Sequence, residues 1–292
     1  MVSVAAMDNT LEKIGVVGCG LMGAGIAEVC ARAGSDVIVV ESDRERADAG
    51  RGRLEKSLRR AEERGRLDSA DAVLERIRVV TSLGELADRA LVVEAIVEDE
   101  AAKVELFQQL DEIVESDEAI LASNTSSIPI MKLATVTRRP ANVLGIHFFN
   151  PVPVLKLVEL VPSLMTAEGT TERARAYVDG TLGKHAITCQ DRAGFVVNSL
   201  LIPFILSAIR MYESGFATAE DIDQGFVLGA AHPQGPLALA DLIGLDTTMA
   251  VAQSLYEEFK EPLYAPPPLL ARMVDANLLG RKVGRGFYTY DR

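Results

Sequence analysis

Short apolar runs alternate with amphipathic stretches through the first two-thirds of the chain. The apolar runs predict strands at residues 13–17, 36–40, 77–80, 90–95, 119–122 and 143–148. Between them, apolar recurrence at three and four residues predicts helices at 21–33, 44–64 and 100–114. Strands that are apolar throughout are buried on both faces. The alternation therefore reads as α/β, a Rossmann-type doubly wound, mostly parallel sheet. The segment between the second and third strands, roughly 35 residues rich in Arg and Glu, is longer than a simple crossover needs and reads as a helical-hairpin insert. A strand at 156–161, a helix at 171–182 and a strand at 185–188 complete this region.

After Asp191 the period changes. Helical patterns cover 196–214, 219–229 and 237–260, followed by APPPLLARMVDANLLG, and no strand is predicted before 286–290. The chain thus divides into an α/β domain over 1–190 and an all-α domain over 191–292. The second is very apolar for its size, which predicts burial against a partner subunit or the first domain.

The first predicted strand runs straight into GCGLMG. Gly18, Gly20 and Gly23 form G-x-G-x-x-G between a strand and a helix. In that setting the first glycine makes the turn, the second lets a pyrophosphate approach the backbone, and the third packs helix on strand. The helix start at Leu21 and Met22 offers unpaired N–H groups to a diphosphate. Glu41 ends the next strand, DVIVVE, where a carboxylate accepts hydrogen bonds from an adenosine ribose and repels a 2′-phosphate. NAD is the expected cofactor, although Arg44 stands close enough to keep NADP open.

Charge and cysteine content narrow the function classes. With 42 acidic against 30 basic residues the formal net charge is −12, which argues against nucleic-acid binding. Any anionic ligand must then meet a local cluster of positive charge. No apolar run is long enough to span a membrane, and MVSVAAMDNT reads as a short tail, not a signal peptide. Cys19, Cys30 and Cys189 show no metal-ligand spacing, so no metal site is expected. Their sparse, odd number suits buried thiols in a reducing compartment, and the expected location is cytoplasmic.

Oxidation of an alcohol by a nicotinamide needs a base for the hydroxyl proton. Of the three histidines, His185 and His232 read as structural or solvent-exposed. His147 lies near the end of the last core strand, at the edge where open α/β sheets bind ligands. Glu159 interrupts an apolar run in GIHFFNPVPVLKLVEL, and His147 and Glu159 are equidistant from Pro153. A reversal there sets them side by side. A carboxylate beside an imidazole fixes its tautomer and favours its protonated form; the alternative is a core ion pair. SNTSSIPI, after the fifth strand, offers hydroxyls and an amide to a substrate oxygen, or only a helix cap.

The stretches VVEAIVEDEAAKVELF, LASNTSSIPI, HFFNPVPVLKLVEL, DRAGFVVNSLLIPF, HPQGPLALADLIGLDTT and GRKVGRGFYTY together resemble the 3-hydroxyacyl-CoA dehydrogenase family, across nearly the whole chain. The resemblance implies a homodimer built by the helical domain, with the active site between the domains. It implies that His147 is the catalytic base and Glu159 its orienting carboxylate. Ser126 and Asn198 would bond the substrate oxygens, and Glu98, Lys103 and Asn150 would contact the cofactor. The implied reaction is the reversible oxidation of (S)-3-hydroxyacyl-CoA by NAD, with a short-chain substrate such as 3-hydroxybutyryl-CoA. A same-fold dehydrogenase of a sugar acid or a carrier-bound hydroxyacyl group remains open, as does a crystallin-like structural protein. In the insert, Arg53, Ser57, Arg60 and Arg64 fall on one helical stripe suited to the phosphates of coenzyme A, or form a solvated face. Ser57 and Arg64 match positions where the family's insert meets the CoA adenosine.

Overall fold

The computed structural model describes residues 11–290, so the reading of the first ten residues as a tail lies outside it. The chain forms two compact units, one ending at Asp191 and the other starting at Arg192. The first runs β1 Lys13–Val17, α1 Leu21–Arg32, β2 Asp36–Val40, α2 Arg44–Glu63, α3 Ala70–Leu74, β3 Ile77–Val80, β4 Leu91–Glu94, α4 Glu100–Ile113, β5 Ile120–Ser123, α5 Ile130–Ala134, β6 Val143–Phe148, β7 Leu157–Pro162, α6 Glu168–Ala176 and β8 His185–Thr188. Its single sheet has the order β3-β2-β1-β4-β5-β6-β7-β8. The first six strands are parallel, β7 runs antiparallel to β6, and β8 is parallel to β7.

Helices on the sheet explain the unbroken apolar strands: all four residues of β4 and all six of β6 are buried. Ile14, Val16, Val37, Val39, Leu91 and Ile120 belong to one core with Ile26 and Cys30 of α1 and Leu54 and Leu58 of α2. Each such aliphatic side chain contributes about 1.5–3 kcal/mol through the surface that it withdraws from water. The insert is the long α2 followed by the short α3, and both pack onto this core. The helix predicted at 171–182 starts earlier, as α6, and ends in a π-helical stretch over Tyr177–Thr181, where the buried Tyr177 hydroxyl meets Ser35 at 3.0 Å.

The parallel arrangement brings the ends of β1, β4, β5 and β6 to one edge of the sheet. Gly18, Glu94, Ser123 and His147 therefore share that edge, although 129 positions separate the first from the last.

The second unit contains α7 Val197–Glu213, α8 Ala219–Gly229, α9 Pro236–Ile243, α10 Leu245–Phe259 and α11 Pro268–Asp275. The helix expected over 237–260 is two helices. Gly244 breaks it at φ +103°, a backbone state that no helix accommodates. The strand expected at 286–290 is also absent. The N–H groups of Phe287 and Tyr288 are taken by the buried Asp241 carboxylate at 3.0 and 2.9 Å, which leaves only isolated bridges, Gly280 to Arg285 and Arg285 to Thr289. Gly286 permits this: a Cβ there would lie 1.9 Å from Asp241 Oδ1. No described helix is long and apolar enough to cross a membrane.

Candidate active site

The glycine loop leaves β1 with Gly18 at φ +92°, where an added Cβ would stand 2.7 Å from the Ala95 carbonyl oxygen. At Gly23 a Cβ would fall 1.8 Å from Gly18 O, so α1 crosses β1 at backbone contact. Gly20 is different: a Cβ there meets nothing within 4 Å, because that position opens outward. The protein's packing requires glycine at 18 and 23, whereas at 20 no described residue stands close enough to require it. The start of α1 has no side-chain cap and no acidic residue in its first turn. By contrast, α2, α4 and α8 are capped by Asp43, Asp99 and Thr218. The first-turn N–H groups at Leu21 and Met22 therefore meet no capping side chain and can face an anion, although α7, α9 and α11 also begin without a side-chain cap.

A cleft of about 540 Å³ begins at this loop, lined by Gly18, Gly20, Glu41, Thr81, Ile96 and Leu106 among others. Glu41 accepts the Cys19 N–H at 2.5 Å through Oε1 and its neighbour Ser42 N–H at 3.2 Å through Oε2, which fixes its carboxylate at the cleft wall. Arg44 turns away to Asp48. Arg46 is the arginine that lines the cleft, held by Asp43 and Ser42. Open glycine surface, uncapped N–H groups and a carboxylate held at the cleft wall together fit a dinucleotide.

His147 and Glu159 are direct register partners of β6 and β7, with Nδ1 2.7 Å from Oε2. The His147 side chain is 8% exposed and that of Glu159 fully buried. The Phe149 ring packs edge-on against the imidazole, centroids 4.6 Å apart. Nδ1–H donation to Glu159 leaves the lone pair on Nε2, the tautomer a general base requires.

The loop after β5 is held from β4. Glu98 Oε1 accepts N–H from Ser126 (3.0 Å) and Ser127 (3.2 Å) and hydroxyls from Thr125 (2.5 Å) and Ser127 (2.9 Å). Burial opposes charge on Glu98. The Lys103 ammonium 2.8 Å from Oε2 and the bonds from Thr125 and Ser126 nevertheless hold its carboxyl below the usual range. The cap of α5 is not a local Ser or Thr. Asp191 takes Ile130 and Met131 N–H at 2.8 Å each, from sixty residues further along the chain.

Asn150 is exposed just beyond β6, and Asn198 is half-buried in the first turn of α7, in the second unit. His185 is exposed at the start of β8, and His232 Nδ1, in the second unit, pairs with Gln234 O at 2.6 Å. The stripe on α2 needs one correction: Arg53 Nη1 donates to Cys19 O at 2.5 Å and ties the helix to the glycine loop. Cys19 and Cys30 are buried, and desolvation pushes their thiols up to about 12 and about 11; Cys189 is only half-buried.

Residues 13–192 match the family model for the 3-hydroxyacyl-CoA dehydrogenase NAD binding domain, and residues 194–290 match that for the 3-hydroxyacyl-CoA dehydrogenase C-terminal domain. The chain belongs to the 3-hydroxyacyl-CoA dehydrogenase family. It is 55% identical over 286 residues to the 3-hydroxybutyryl-CoA dehydrogenase of Mycobacterium tuberculosis, covering 97% of this chain and all of that one. It is 40% identical over 299 residues to human mitochondrial hydroxyacyl-coenzyme A dehydrogenase, covering 99% of this chain and 94% of that one. The crystal structure of (S)-3-hydroxybutyryl-CoA dehydrogenase from Ralstonia eutropha, 44% identical, superposes with a TM-score of 0.92 over 97% of this chain and all of that one. Membership makes the protein an oxidoreductase of 3-hydroxyacyl-CoA with an NAD-binding domain.

Within this 3-hydroxyacyl-CoA dehydrogenase fold, Glu94 escapes the sequence reading, and Asn124, the amide of SNTSSIPI offered to a substrate oxygen, turns its oxygen inward instead. Asn124 Oδ1 accepts Phe148 N–H at 2.9 Å and so fastens the end of the His147 strand. Glu94 closes an apolar strand, LVVE, as Glu41 closes DVIVVE. That shared pattern, a carboxylate at the carboxyl end of a core strand, was the available signal.

Proposed function

We propose that the protein interconverts short-chain (S)-3-hydroxyacyl-CoA, 3-hydroxybutyryl-CoA in particular, and 3-ketoacyl-CoA, with His147 as the acid–base. The observation that carries this reading is the buried His147–Glu159 pair at the sheet edge that also bears the uncapped glycine loop. NAD, when bound by Gly18, Gly20, Leu21, Met22, Gly23 and Glu41, supplies the acceptor for the hydride leaving C3. His147 Nε2 takes the C3 hydroxyl proton as that hydride departs, and the Glu159 carboxylate offsets the imidazolium charge. In the reverse direction the imidazolium returns the proton to the keto oxygen, and Ser126 and, from the family resemblance, Asn198 are assigned to hydrogen-bond the substrate oxygens. Glu98, Lys103 and Asn150 are assigned to the cofactor. The test is consumption of NADH with acetoacetyl-CoA across a series from four-carbon to long-chain CoA thioesters. Turnover of free acids or carrier-bound groups in preference to the four-carbon thioester overturns the substrate assignment.

Glu41 sets cofactor choice on this reading. Glu41→Ala removes a charged acceptor, worth about 1.5–3 kcal/mol. The KM for NADH is expected to rise by about tenfold or more, with discrimination against NADPH reduced. Wild-type preference for NADPH contradicts the placement.

The adenosine phosphates of coenzyme A are assigned to α2. Arg44, Arg46, Arg51, Arg53 and Arg59 each bond a protein acceptor. Arg60 and Arg64, one turn apart on the Ser57 face, have no such partner among the described residues. Replacing both with Ala is expected to lower kcat/KM for acetoacetyl-CoA, most strongly at low salt. The N-acetylcysteamine thioester, which lacks the nucleotide, should hardly change; equal losses for both substrates would make the stripe mere surface.

Homodimerisation through the second unit is supported by its exposed Leu200, Phe216 and Leu228, each more than 70% accessible.

A further inference from the structure

A closed circuit of polar groups links β4 to β5 at the sheet edge, and the proton transfer described above makes no use of it. Glu94 and Ser123 end these strands as register partners. The side chains of Glu94 and Lys103 are 0% and 1% exposed. Ser123 Oγ donates to Glu94 Oε2 at 2.6 Å and accepts Thr125 N–H at 3.1 Å. Thr125 Oγ1 donates to Glu98 Oε1, and Glu98 Oε2 meets Lys103 Nζ. Lys103 Nζ donates to both Glu94 oxygens, at 2.9 and 3.0 Å, and the circuit closes. Glu94 also accepts Ile96 N–H at 2.7 Å, from the wall of the cleft.

A buried ammonium needs a counter-charge, since leaving one member of such a pair alone is strongly destabilising. Lys103 has two. Glu98 is 38% exposed, and it is the carboxylate that faces solvent. With Glu94 gripping Lys103 through both oxygens, Glu98 can exchange its own contact for a ligand hydroxyl without leaving the lysine unpaired.

We propose that Glu94 is a positioning residue: it anchors Lys103 and, through Lys103 and Ser123, sets Glu98 and the Ser126 loop for binding the cofactor. This rests on the assignment of Glu98 and Lys103 to the cofactor. Glu94 does not touch the reacting atoms, and its effect is on ligand binding.

The experiment is fluorescence titration of the intact protein with NADH, alongside thermal unfolding. Glu94→Gln keeps the shape and removes the charge. It should raise the Kd for NADH about tenfold, the size expected for a lost charge-assisted contact. Lys103→Met should also weaken binding, and Glu94→Gln in that background should add little, because both changes break one circuit. Ser123→Ala removes one bond and no charge, and is expected to weaken NADH binding a few-fold; it reads the same circuit if Glu94→Gln does not fold. A lowered melting temperature with wild-type Kd in Glu94→Gln, or wild-type Kd in Ser123→Ala, overturns the proposal while leaving the assignment of Lys103 intact. Unchanged affinity in Lys103→Met overturns that assignment and the proposal with it.

Discussion

His147→Gln is expected to lose at least about 10²-fold in kcat for acetoacetyl-CoA reduction, with NADH affinity close to wild type, as befits loss of a general acid–base. Glutamine keeps a polar group near the Glu159 carboxylate but has no proton to cycle. The effect should therefore fall on the chemical step rather than on binding. Single-turnover mixing of the variant with NADH and acetoacetyl-CoA, followed by NADH absorbance, isolates that step. Glu159→Gln should also lower kcat, by less, since the imidazole remains in place and only the charge opposite it is lost. If the His147 variant turns over at the wild-type rate, the proton goes elsewhere and the assignment of His147 falls.

Gly23→Ala is expected to be the most damaging single methyl in the cofactor loop. Its Cβ would stand 1.8 Å from the Gly18 carbonyl oxygen, and no side-chain rotamer relieves a clash with backbone. Either α1 moves off β1 or the turn at Gly18 opens, and both displace the N–H groups assigned to the pyrophosphate. Overpacking of this kind costs typically 1–3 kcal/mol. NADH affinity should fall by about five- to a hundredfold as that strain is taken up in the loop. Gly20→Ala is the control. Its Cβ meets no protein atom within 4 Å, so melting should be unaffected while NADH binding still weakens. Equal destabilisation by the two substitutions would mean that Gly20 is also a packing glycine and that its open face serves no ligand.

Much of the first unit was legible because parallel strands are buried on both sides and read as plain apolar runs. The bounds read for β1, β2, β3, β6 and β8 coincide with those in the structure. The glycine loop was legible for a related reason, since it sits at a strand-to-helix junction with Glu41 one strand further on. Errors gathered where structure depends on distant partners. No local pattern separates α9 from α10, because the break is a single glycine at positive φ inside an amphipathic run. Nothing local told that Phe287 and Tyr288 would bond to Asp241 rather than to a strand. Arg53 looked like its neighbours on the α2 stripe, and only the approach of the glycine loop gives it the Cys19 carbonyl.

The sequence alone determined the alternation of strands and helices, the dinucleotide loop, and the pairing of His147 with Glu159. Each is written in residues close enough along the chain for a period, a fixed spacing or a symmetrical reversal to reveal it. Tertiary structure decided what meets at the sheet edge. Glu94, Lys103, Ser123, Thr125 and Glu98 join one circuit because the parallel pairing of β4 with β5 brings their ends together, and Asp191 caps α5 from beyond β8. A carboxylate has no periodicity of its own, so its partner is known only once the backbone around it has been placed.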